Sequence, residues 1–271
     1  MNSINYGKAL EYWADVPPTV DGVLGGFGFI SDLDINGSKI FLESLFSSES
    51  GPGCTLALDC GAGIGRISKH LLLEHFETVD IVEPDLKFIN SIREFVGEGN
   101  SKICQLYNVS LQEFKPERKY DVIWNQWVLG YLTDGDLVSY LIRCSITSLD
   151  TKNMLQTLTV NPFQTYPRHS KTGSIWGNLD KSGETWIEPY IGDALTDNGV
   201  IIVKENVTST GKAEKDETDS SITRSLKQFT KIFKSANLKR IKQSKQTNFP
   251  SGIYPVYMFA LVPIKSIAVE V

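Results

Sequence analysis

Three glycines and one acid stand close together in the stretch LALDCGAGIGR, residues 56–66. Asp59, Gly61, Gly63 and Gly65 form the pattern D-x-G-x-G-x-G directly after a short apolar run. Glycine is needed where the backbone turns tightly and approaches a ligand more closely than a Cβ atom allows. The spacing argues against two common phosphate sites. The stretch lacks the Gly-Lys-Ser/Thr ending of a P-loop, and Gly65 follows Gly63 too closely for a dinucleotide fingerprint.

Charged side chains around the glycines narrow the choice of ligand. Glu83 ends the next apolar run, where a carboxylate can accept both ribose hydroxyls of a nucleoside. Asp59 would repel a pyrophosphate but suits the ammonium of an amino acid, and Arg66 can pair with the carboxylate of that amino acid. The combination favours S-adenosylmethionine, a cationic nucleoside without phosphate. A tight turn that binds no ligand is the alternative.

Alternating strands and helices must position these residues. Apolar runs typical of strands cover 55–61, 78–84, 102–110, 120–129, 199–206 and 255–263, and patterns typical of helices cover 66–76, 86–97, 134–149 and 221–238. Strands that alternate with helices predict a parallel, doubly wound sheet with right-handed crossovers. No helical pattern precedes the last run, so we expect it to pair antiparallel in a hairpin.

Two segments interrupt this alternation. Residues 150–196 are too long for an ordinary connection, so we predict an insertion that lies on the surface or, alternatively, extends a substrate groove. Residues 209–221, STGKAEKDETDSS, are polar and charged. They form either a solvated loop or a functional one, because loops after strand ends in such sheets also carry ligand-binding residues.

Composition argues against several classes of protein. The chain has 271 residues, is 41% apolar and carries a net charge of −5, which argues against disorder and a broad nucleic-acid surface. Its four cysteines and three histidines are too scattered to predict a disulfide or a metal site. No stretch has the length and apolarity of a membrane span or the pattern of a secretory leader. We therefore expect one domain over 1–271 that is cytoplasmic or nuclear, monomeric, and free of nucleic acid, membrane and metal.

Six blocks of sequence resemble the eukaryotic protein α-N-terminal methyltransferases. They are YWADVPPTVDGVLGGFGFIS (12–31), ALDCGAGIGRISKHLL (57–72), DVIWNQWVLGYLTD (121–134), VIIVKEN (200–206), DETDSSITR (216–224) and IYPVYMFAL (253–261). The resemblance implies a seven-stranded, Rossmann-like class I methyltransferase sheet of the α/β class, mostly parallel with an antiparallel last hairpin. It also implies an N-terminal helical lid over residues 1–50. Residues 150–196 are atypical of the family.

The resemblance further implies an activity and the residues that perform it. Members of the family use S-adenosylmethionine to methylate the α-amino group of protein N-termini that read Xaa-Pro-Lys/Arg, with ribosomal proteins expected among the substrates. The residues that match the family's cofactor contacts are Trp13, Gly61, Gly63, Arg66, Glu83, Leu111, Gln112 and Gln126. The residues that match its catalytic and substrate-binding positions are Trp127, Tyr131, Asn206, Asp216, Asp219 and Tyr254.

The matched substrate positions have distinct implied roles. Asn206 and Asp219 match residues that hold the substrate α-amine, and Asp219 can also help its proton leave. Asp216 matches an acid that faces the basic third residue, and Tyr254 a tyrosine of the substrate groove. Trp127 matches an aromatic beside the substrate proline, although packing in the core is the alternative for an aromatic at a strand end.

One position departs from the family pattern. The chain reads GYLTD where the family usually reads GHLTD, so Tyr131 replaces a histidine proposed as a general base. Tyrosine, with a pKa of about 10, is a poor base at neutral pH. Three alternatives follow. Asp219 suffices as the base; the protein is a catalytically weak relative that binds N-termini or a partner enzyme; or the acceptor is a small molecule or another protein site.

Overall fold

A seven-stranded sheet forms the centre of the molecule in a computed structural model that describes residues 3–97, 99–145 and 194–264. Its strands are β1 (Leu56–Cys60), β2 (Thr78–Val82), β3 (Ile103–Tyr107), β4 (Tyr120–Gln126), β5 (Leu195–Asn206), β8 (Leu238–Lys245) and β9 (Val256–Pro263). A separate hairpin joins β6 (Glu214–Lys215) to β7 (Ile222–Thr223). The order in the sheet is β3-β2-β1-β4-β5-β9-β8, and β9 runs antiparallel to both of its neighbours. The predicted α/β fold with its antiparallel last strand is confirmed.

Helices flank the sheet and precede it in the chain. They are α1 (Tyr6–Asp15), α2 (Val20–Val23), α3 (Ser31–Phe46), α4 (Leu73–His75), α5 (Leu86–Val96), α6 (Asp134–Ser145) and α7 (Leu226–Ser235). A π-helical turn, Ser68–Leu72, leads into α4, and two 3-10 turns cover Gly28–Ile30 and Leu129–Tyr131. The first three helices form the N-terminal helical extension that the sequence predicts.

Apolar side chains pack on both faces of the sheet. Successive side chains of a strand point to opposite faces, so Ile123 of β4 joins the layer covered by α6 and α7, whereas Val122 and Trp124 join the layer covered by α3, α4 and α5. Helices on both faces are the usual environment of a parallel sheet. The parallel strands β1, β2, β4 and β5 therefore all end at one edge, and ligands of such sheets bind at this edge where the strand order reverses.

Two elements differ from the sequence-based prediction. The helix predicted from residue 221 begins at Leu226, because Ser225 and Gln228 form a capping box that fixes its start. The residues before it pair with β6 as strand β7. Strand β8 carries no pattern that predicts it. Among the described strands it pairs with β9 alone, at the edge of the sheet, and of its residues only Leu238 is buried.

Part of the predicted insertion lies outside the described residues. Positions 150–193 of that segment are not described, nor are the last four positions, 146–149, of the helix predicted to end at residue 149. Strand β5 begins at Leu195, inside the boundary predicted for the insertion. The role of the insertion therefore stays a prediction.

Helix α1 lies across the carboxyl edge of the sheet and is fastened at both ends. The Lys87 ammonium, on α5, donates hydrogen bonds of 2.9, 2.7 and 2.5 Å to the carbonyl oxygens of Trp13, Ala14 and Val16. At the other end, the Tyr6 hydroxyl donates to Asp136 of α6. Lys87 also complements the negative end of the helix dipole.

Replacing Lys87 by Met should loosen α1 without unfolding the protein. Losing the three hydrogen bonds lowers the free energy of local opening by about 2 kcal/mol, so amide exchange in residues 6–15 should accelerate about 30-fold. Hydrogen exchange followed by mass spectrometry measures this effect. Lys39→Met is the matched control, because the Lys39–Glu74 ion pair is exposed; equal exchange rates in the two variants would contradict the prediction.

Candidate active site

The glycine loop after β1 has the backbone conformation that its composition predicts. Gly61 and Gly63 have φ angles of 66° and 56°, in the left-handed region that favours glycine. A Cβ atom on Gly61 would lie 2.3 Å from a methyl of Val128, so no other residue fits there without displacing that side chain. The Gly61 amide donates to the carbonyl of Val82 at 2.8 Å, which ties the loop to the end of β2.

Asp59, near the end of β1, anchors the helical turn that follows this loop. Its carboxylate accepts hydrogen bonds from the Ser68 amide at 3.0 Å and the Ser68 hydroxyl at 2.7 Å, and the side chain is 2% exposed. Burial raises the pKa of Asp59 to about 6. The expectation that Asp59 faces an ammonium directly is therefore corrected, because its carboxylate is buried and holds the start of the helical turn that follows the loop.

Glu83 brings the loop and the second strand together. Its two carboxylate oxygens accept from the amides of Gly63 at 2.8 Å and Asp85 at 2.9 Å. Burial raises the pKa of Glu83 to about 7, because the charged form is poorly solvated there. Glu83 thus lies beside the glycine loop, and its predicted contact with the ribose hydroxyls stays a prediction.

Arg66 and Gln126 meet at a residue that the sequence motifs do not single out. Asp34 of α3 is fully buried and accepts from Arg66 at 2.8 Å, from the Gln126 amide at 2.8 Å and from the Lys204 ammonium at 2.5 Å. We call Asp34, Arg66, Gln126 and Lys204 the Asp34 network. Burial alone would raise the pKa of Asp34, but Lys204 and Arg66 hold it below its usual value.

A signal for the Asp34 network exists in the sequence. Asp34 lies on the same helical face as the buried Ile30, Ser38 and Phe41, and Lys204 interrupts the apolar run VIIVKEN. A charged residue on an apolar face is rarely buried without a partner. Asp34 and Lys204 have opposite charges, so each is expected to have a buried partner, although the sequence pattern does not show that they pair with each other. Burial lowers the pKa of Lys204 to about 8, against the opposing effect of Asp34.

Trp127 follows β4 in a strained conformation. Its φ angle is 54°, which is unusual for a bulky side chain, and its indole nitrogen is buried without a hydrogen-bond partner among the described residues. The guanidinium of Arg66 lies 5.7 Å from the centre of the indole ring. Strain and an unpaired buried donor are more typical of a functional site than of a core, which favours the predicted binding role over simple packing.

Leu111 and Gln112 lie in the loop after β3. Their carbonyl oxygens accept hydrogen bonds of 2.7 and 2.9 Å from the guanidinium of Arg143 on α6. The Glu83 amide donates to the carbonyl of Tyr107 at the end of β3. This loop therefore follows the strand beside Glu83, where the two residues are predicted to contact the adenine.

Aromatic rings from the N-terminal helix cover the same edge. Trp13 of α1 makes edge-to-face contacts with Tyr131, at 5.8 Å between ring centres, and with Phe88, at 6.1 Å. Tyr131 follows β4 and Phe88 lies near the start of α5, so Trp13 bridges two of the connections that leave the carboxyl edge. The structure thus places Trp13 beside the predicted catalytic position Tyr131.

Tyr131 and Asp219 form a direct pair. The Tyr131 hydroxyl donates to Oδ2 of Asp219 at 2.6 Å, and the Ser221 amide donates to Oδ1 at 2.9 Å. Burial raises the pKa of Tyr131 far above its ordinary value, with a smaller contribution from Asp219. Tyr131 is therefore a hydrogen-bond donor that orients a carboxylate, and it cannot serve as a base at neutral pH.

Asp216 and Tyr254 border the hairpin of β6 and β7. Asp216 is exposed, and its Oδ1 accepts from the Thr218 amide at 2.7 Å. The Tyr254 hydroxyl donates at 2.8 Å to Glu214 of β6, a residue that the motifs do not single out. Asp216 lies close enough to Tyr254 for its charge to help raise the pKa of that hydroxyl, whose main cause is the bond to Glu214.

Asn206 ends β5 next to Glu205, a third acid that the sequence motifs do not single out. Glu205 is buried, and its Oε1 accepts from the amides of Val128 and Leu129 at 2.9 and 2.8 Å, so it holds the turn that follows Trp127. Burial raises the pKa of Glu205 to about 7. Asn206 pairs with Val256 of β9 in the sheet, which brings the two strands that border the site into register at this edge.

Comparison with known proteins identifies the family. A model of the AdoMet-dependent proline di-methyltransferases matches residues 1–157 and 190–262. The chain belongs to this family. The enzyme is thus an S-adenosylmethionine-dependent methyltransferase, and the predicted family, activity class and cofactor are confirmed.

Named relatives agree with this assignment. The enzyme is 40% identical over 261 residues to N-terminal Xaa-Pro-Lys N-methyltransferase 1-A of Xenopus laevis, covering 94% of each chain. It is 39% identical over 262 residues to alpha N-terminal protein methyltransferase 1 of Drosophila melanogaster, covering 96% of this chain and 76% of the relative. A SAM-dependent methyltransferase of Leishmania major superposes with a TM-score of 0.72 at 32% identity, covering 94% of this chain and 82% of that one.

The residues at the carboxyl edge fit the cofactor. Glu83 presents a buried carboxylate beside the glycine loop, and Gly61 and Gly63 hold that loop in a left-handed conformation that glycine adopts easily. The indole donor of Trp127 has no hydrogen-bond partner among the described residues. In the described ranges no three His, Cys, Asp or Glu side chains are grouped to hold a metal ion. The helices of those ranges include none with both the length and the apolarity to cross a bilayer.

Affinity for the cofactor product should depend on pH through Glu83. Ribose hydroxyls bond to the ionised carboxylate, so the dissociation constant for S-adenosylhomocysteine should rise as the pH falls below about 7, approaching tenfold per unit. Titration calorimetry between about pH 5.5 and about pH 8 measures the slope.

Two variants separate Glu83 from other groups. Glu83→Gln should bind more weakly and lose most of the slope, whereas Glu205→Gln, which removes another buried carboxyl with a raised pKa, should keep it. A slope that survives in Glu83→Gln would contradict the assignment.

Proposed function

We propose that the enzyme methylates the α-amino group of protein N-termini that begin Xaa-Pro-Lys or Xaa-Pro-Arg. The names of the relatives from Xenopus laevis and Drosophila melanogaster support this acceptor. The observation that carries the proposal is the Asp219 carboxylate, which lies in the hairpin between β6 and β7. The Tyr131 hydroxyl orients this carboxylate, and the Tyr131 ring contacts Trp13. Ribosomal proteins with such N-termini are the substrates that we would test first.

The chemistry requires a neutral amine. An α-amino group has a pKa of about 7.7–8.0 and is mostly protonated at neutral pH, so its lone pair must be freed before it attacks. S-adenosylmethionine, when bound, supplies the methyl group as an electrophile. Asp219 docks the ammonium and accepts its proton, directly or through water, while Asn206 holds the amine in position. Positioning of this kind supplies much of the rate in a bimolecular transfer.

Tyr131 acts through Asp219. Its hydroxyl donates to one carboxylate oxygen at 2.6 Å and the Ser221 amide donates to the other, so the carboxylate cannot rotate away from the site. The histidine usual at this position of the family is thereby replaced by a donor and not by another base. Of the alternatives raised by the sequence, this geometry favours Asp219 as the sufficient base.

The hairpin and Tyr254 recognise the rest of the peptide. Asp216 is exposed and carries a charge suited to the Lys or Arg at the third position. Tyr254, 40% exposed and hydrogen-bonded to Glu214 of the same hairpin, contributes a ring to the groove beside Asp216. Trp127 packs against the proline, which an aromatic ring accommodates well.

The setting of the enzyme is also a proposal. We propose a monomer that acts in the cytoplasm or the nucleus and contacts neither nucleic acid nor membrane. The net charge of −5 supports a basic peptide as the partner over a polyanion. Size-exclusion chromatography with light scattering and localisation of a tagged chain test these points.

Removing the Asp219 charge should abolish most of the activity. With an Xaa-Pro-Lys hexapeptide, Asp219→Asn should lower kcat/KM by about 100-fold to 10,000-fold, the usual range for a general base, as mass spectrometry of the peptide measures. The affinity for S-adenosylhomocysteine should stay within about twofold, since the change leaves the cofactor contacts intact.

Two peptides control this experiment. The same sequence with an acetylated α-amine should gain no methyl group. Continued methylation of this peptide would show that the acceptor is a side chain. If the wild-type chain binds the cofactor and the free peptide but transfers nothing, the protein is the weak, binding relative that Tyr131 raised as an alternative.

Tyr131→Phe should lower kcat/KM by about tenfold, because Asp219 loses a hydrogen bond to a charged group. Tyr131→His restores a donor and should retain more activity than Phe. Tyr6→Phe is the matched control: it breaks a similar Tyr–Asp bond outside the acceptor site, to Asp136, and should change kcat/KM less than about threefold. Equal effects of Phe at the two positions would show that Tyr131 has only a structural role.

A further inference from the structure

The Asp34 network joins residues proposed to bind the cofactor to residues that do not. Asp34 bonds to Arg66 and Gln126, which are proposed cofactor contacts, and to Lys204, which is not. The Lys204 ammonium has further partners away from the site, the Ser38 hydroxyl at 2.8 Å and the Gln246 side chain at 2.9 Å. The Asp34 carboxylate thus bonds both to the proposed cofactor contacts, Arg66 and Gln126, and to Lys204, which has no proposed contact with the cofactor.

Asp34 sets the orientation of the Gln126 side chain. The Gln126 amide nitrogen donates to both Asp34 oxygens, at 2.9 and 2.8 Å, and its oxygen accepts from the Trp124 indole at 3.1 Å. An ionised carboxylate only accepts and an indole nitrogen only donates, so the amide has one satisfied orientation. Any further hydrogen bond from Gln126 is therefore made in a direction that Asp34 determines.

Asp34 likewise limits the positions that Arg66 can take. One guanidinium nitrogen, Nη2, is held at 2.8 Å, and Nη1 lies 3.4 Å from the hydroxyl of Ser31, the first residue of α3. A guanidinium is a rigid planar fork, so fixing one nitrogen by an ion pair directs the remaining donors. Because the side chain is almost fully buried, few other positions are open to it.

We propose that Asp34 is a positioning residue for the cofactor, which orients Arg66 and Gln126 to receive the amino-acid end of S-adenosylmethionine. The inference rests on the proposed assignment of these two residues as cofactor contacts. Asp34 belongs to α3, outside the sheet that carries the glycine loop and Glu83. Cofactor affinity therefore depends on the N-terminal segment being packed against the sheet, although Asp34 itself acts only through its partners.

The test compares Lys204→Met with Lys204→Met combined with Asp34→Asn. Removing Asp34 alone would leave two buried cations sharing no carboxylate, and that variant is at risk of not folding. Both variants of the pair lack Lys204 and differ only in the Asp34 charge. Titration calorimetry with S-adenosylhomocysteine should give a dissociation constant at least about tenfold higher in the double variant, as expected for lost orientation of a charged donor.

A second ligand separates positioning from general loosening. 5′-Methylthioadenosine has the nucleoside of the cofactor but no amino-acid end, so its affinity should differ less than about twofold between the two variants. In activity assays the KM for S-adenosylmethionine should rise while kcat at saturation stays within about threefold. Equal weakening of both ligands, or no weakening of either, would overturn the proposal.

Two single variants complete the design. Asp80→Asn removes another buried carboxylate that is paired with an arginine, Arg118, but has no proposed cofactor contact. It should leave the affinity for S-adenosylhomocysteine relative to that for 5′-methylthioadenosine unchanged. A fall of this ratio as large as in the double variant would count against a specific role for Asp34. Arg66→Ala tests the assignment of Arg66 as a cofactor contact. If this variant binds S-adenosylhomocysteine as wild type does, that assignment is wrong. If Arg66→Ala loses affinity but the double variant does not, the assignment stands and only the role of Asp34 is wrong.

Discussion

The buried Asp34 carboxylate, shared between Arg66 and Lys204, is the interaction on which the arrangement of the site depends. A buried charge is tolerated only when it is paired and hydrogen-bonded, and here one acid bonds to the start of the helical turn after β1, to the end of β4 through Gln126, and to β5. These elements are far apart in sequence. Their side chains can be satisfied only when α3 packs against the sheet, so the fold and the site form together.

Other buried carboxyl groups that accept hydrogen bonds lie along the carboxyl edge of the sheet. Asp59, Glu83 and Glu205, at or next to the ends of β1, β2 and β5, are buried carboxyls whose oxygens accept hydrogen bonds from backbone amides of the segments that follow the strands. Burial raises the pKa of all three, to between about 6 and about 7. The amide bonds offset part of the desolvation penalty and fix the loops in return. Rigid loops of this kind let Trp127 keep its strained conformation above the sheet.

The fold was largely predictable because its signals are local. Apolar runs and helical spacing located six of the seven strands of the sheet and the flanking helices α4 to α7. Helix α3 was expected only as part of the N-terminal helical extension that the resemblance implies. Strand β8 gave no such signal, since an edge strand with mostly exposed residues is stabilised by pairing with β9 and not by its own apolarity. The short strand β7 was hidden within a helical pattern, and it forms because its residues find a partner in β6.

The sequence by itself determined the kind of ligand and the chemistry. The glycine loop and Glu83 lie in short stretches, in which residue type and spacing already restrict what can bind. Tyr131 and Asp219 are located by the resemblance of their blocks to the family. Only the tertiary structure decided how these residues act: that Asp59 anchors the helical turn after the loop, that Tyr131 is a donor to Asp219, and that Asp34 links Arg66 to Gln126. The physical reason is that burial and pairing depend on neighbours distant along the chain, and those partners set the protonation and orientation of each group.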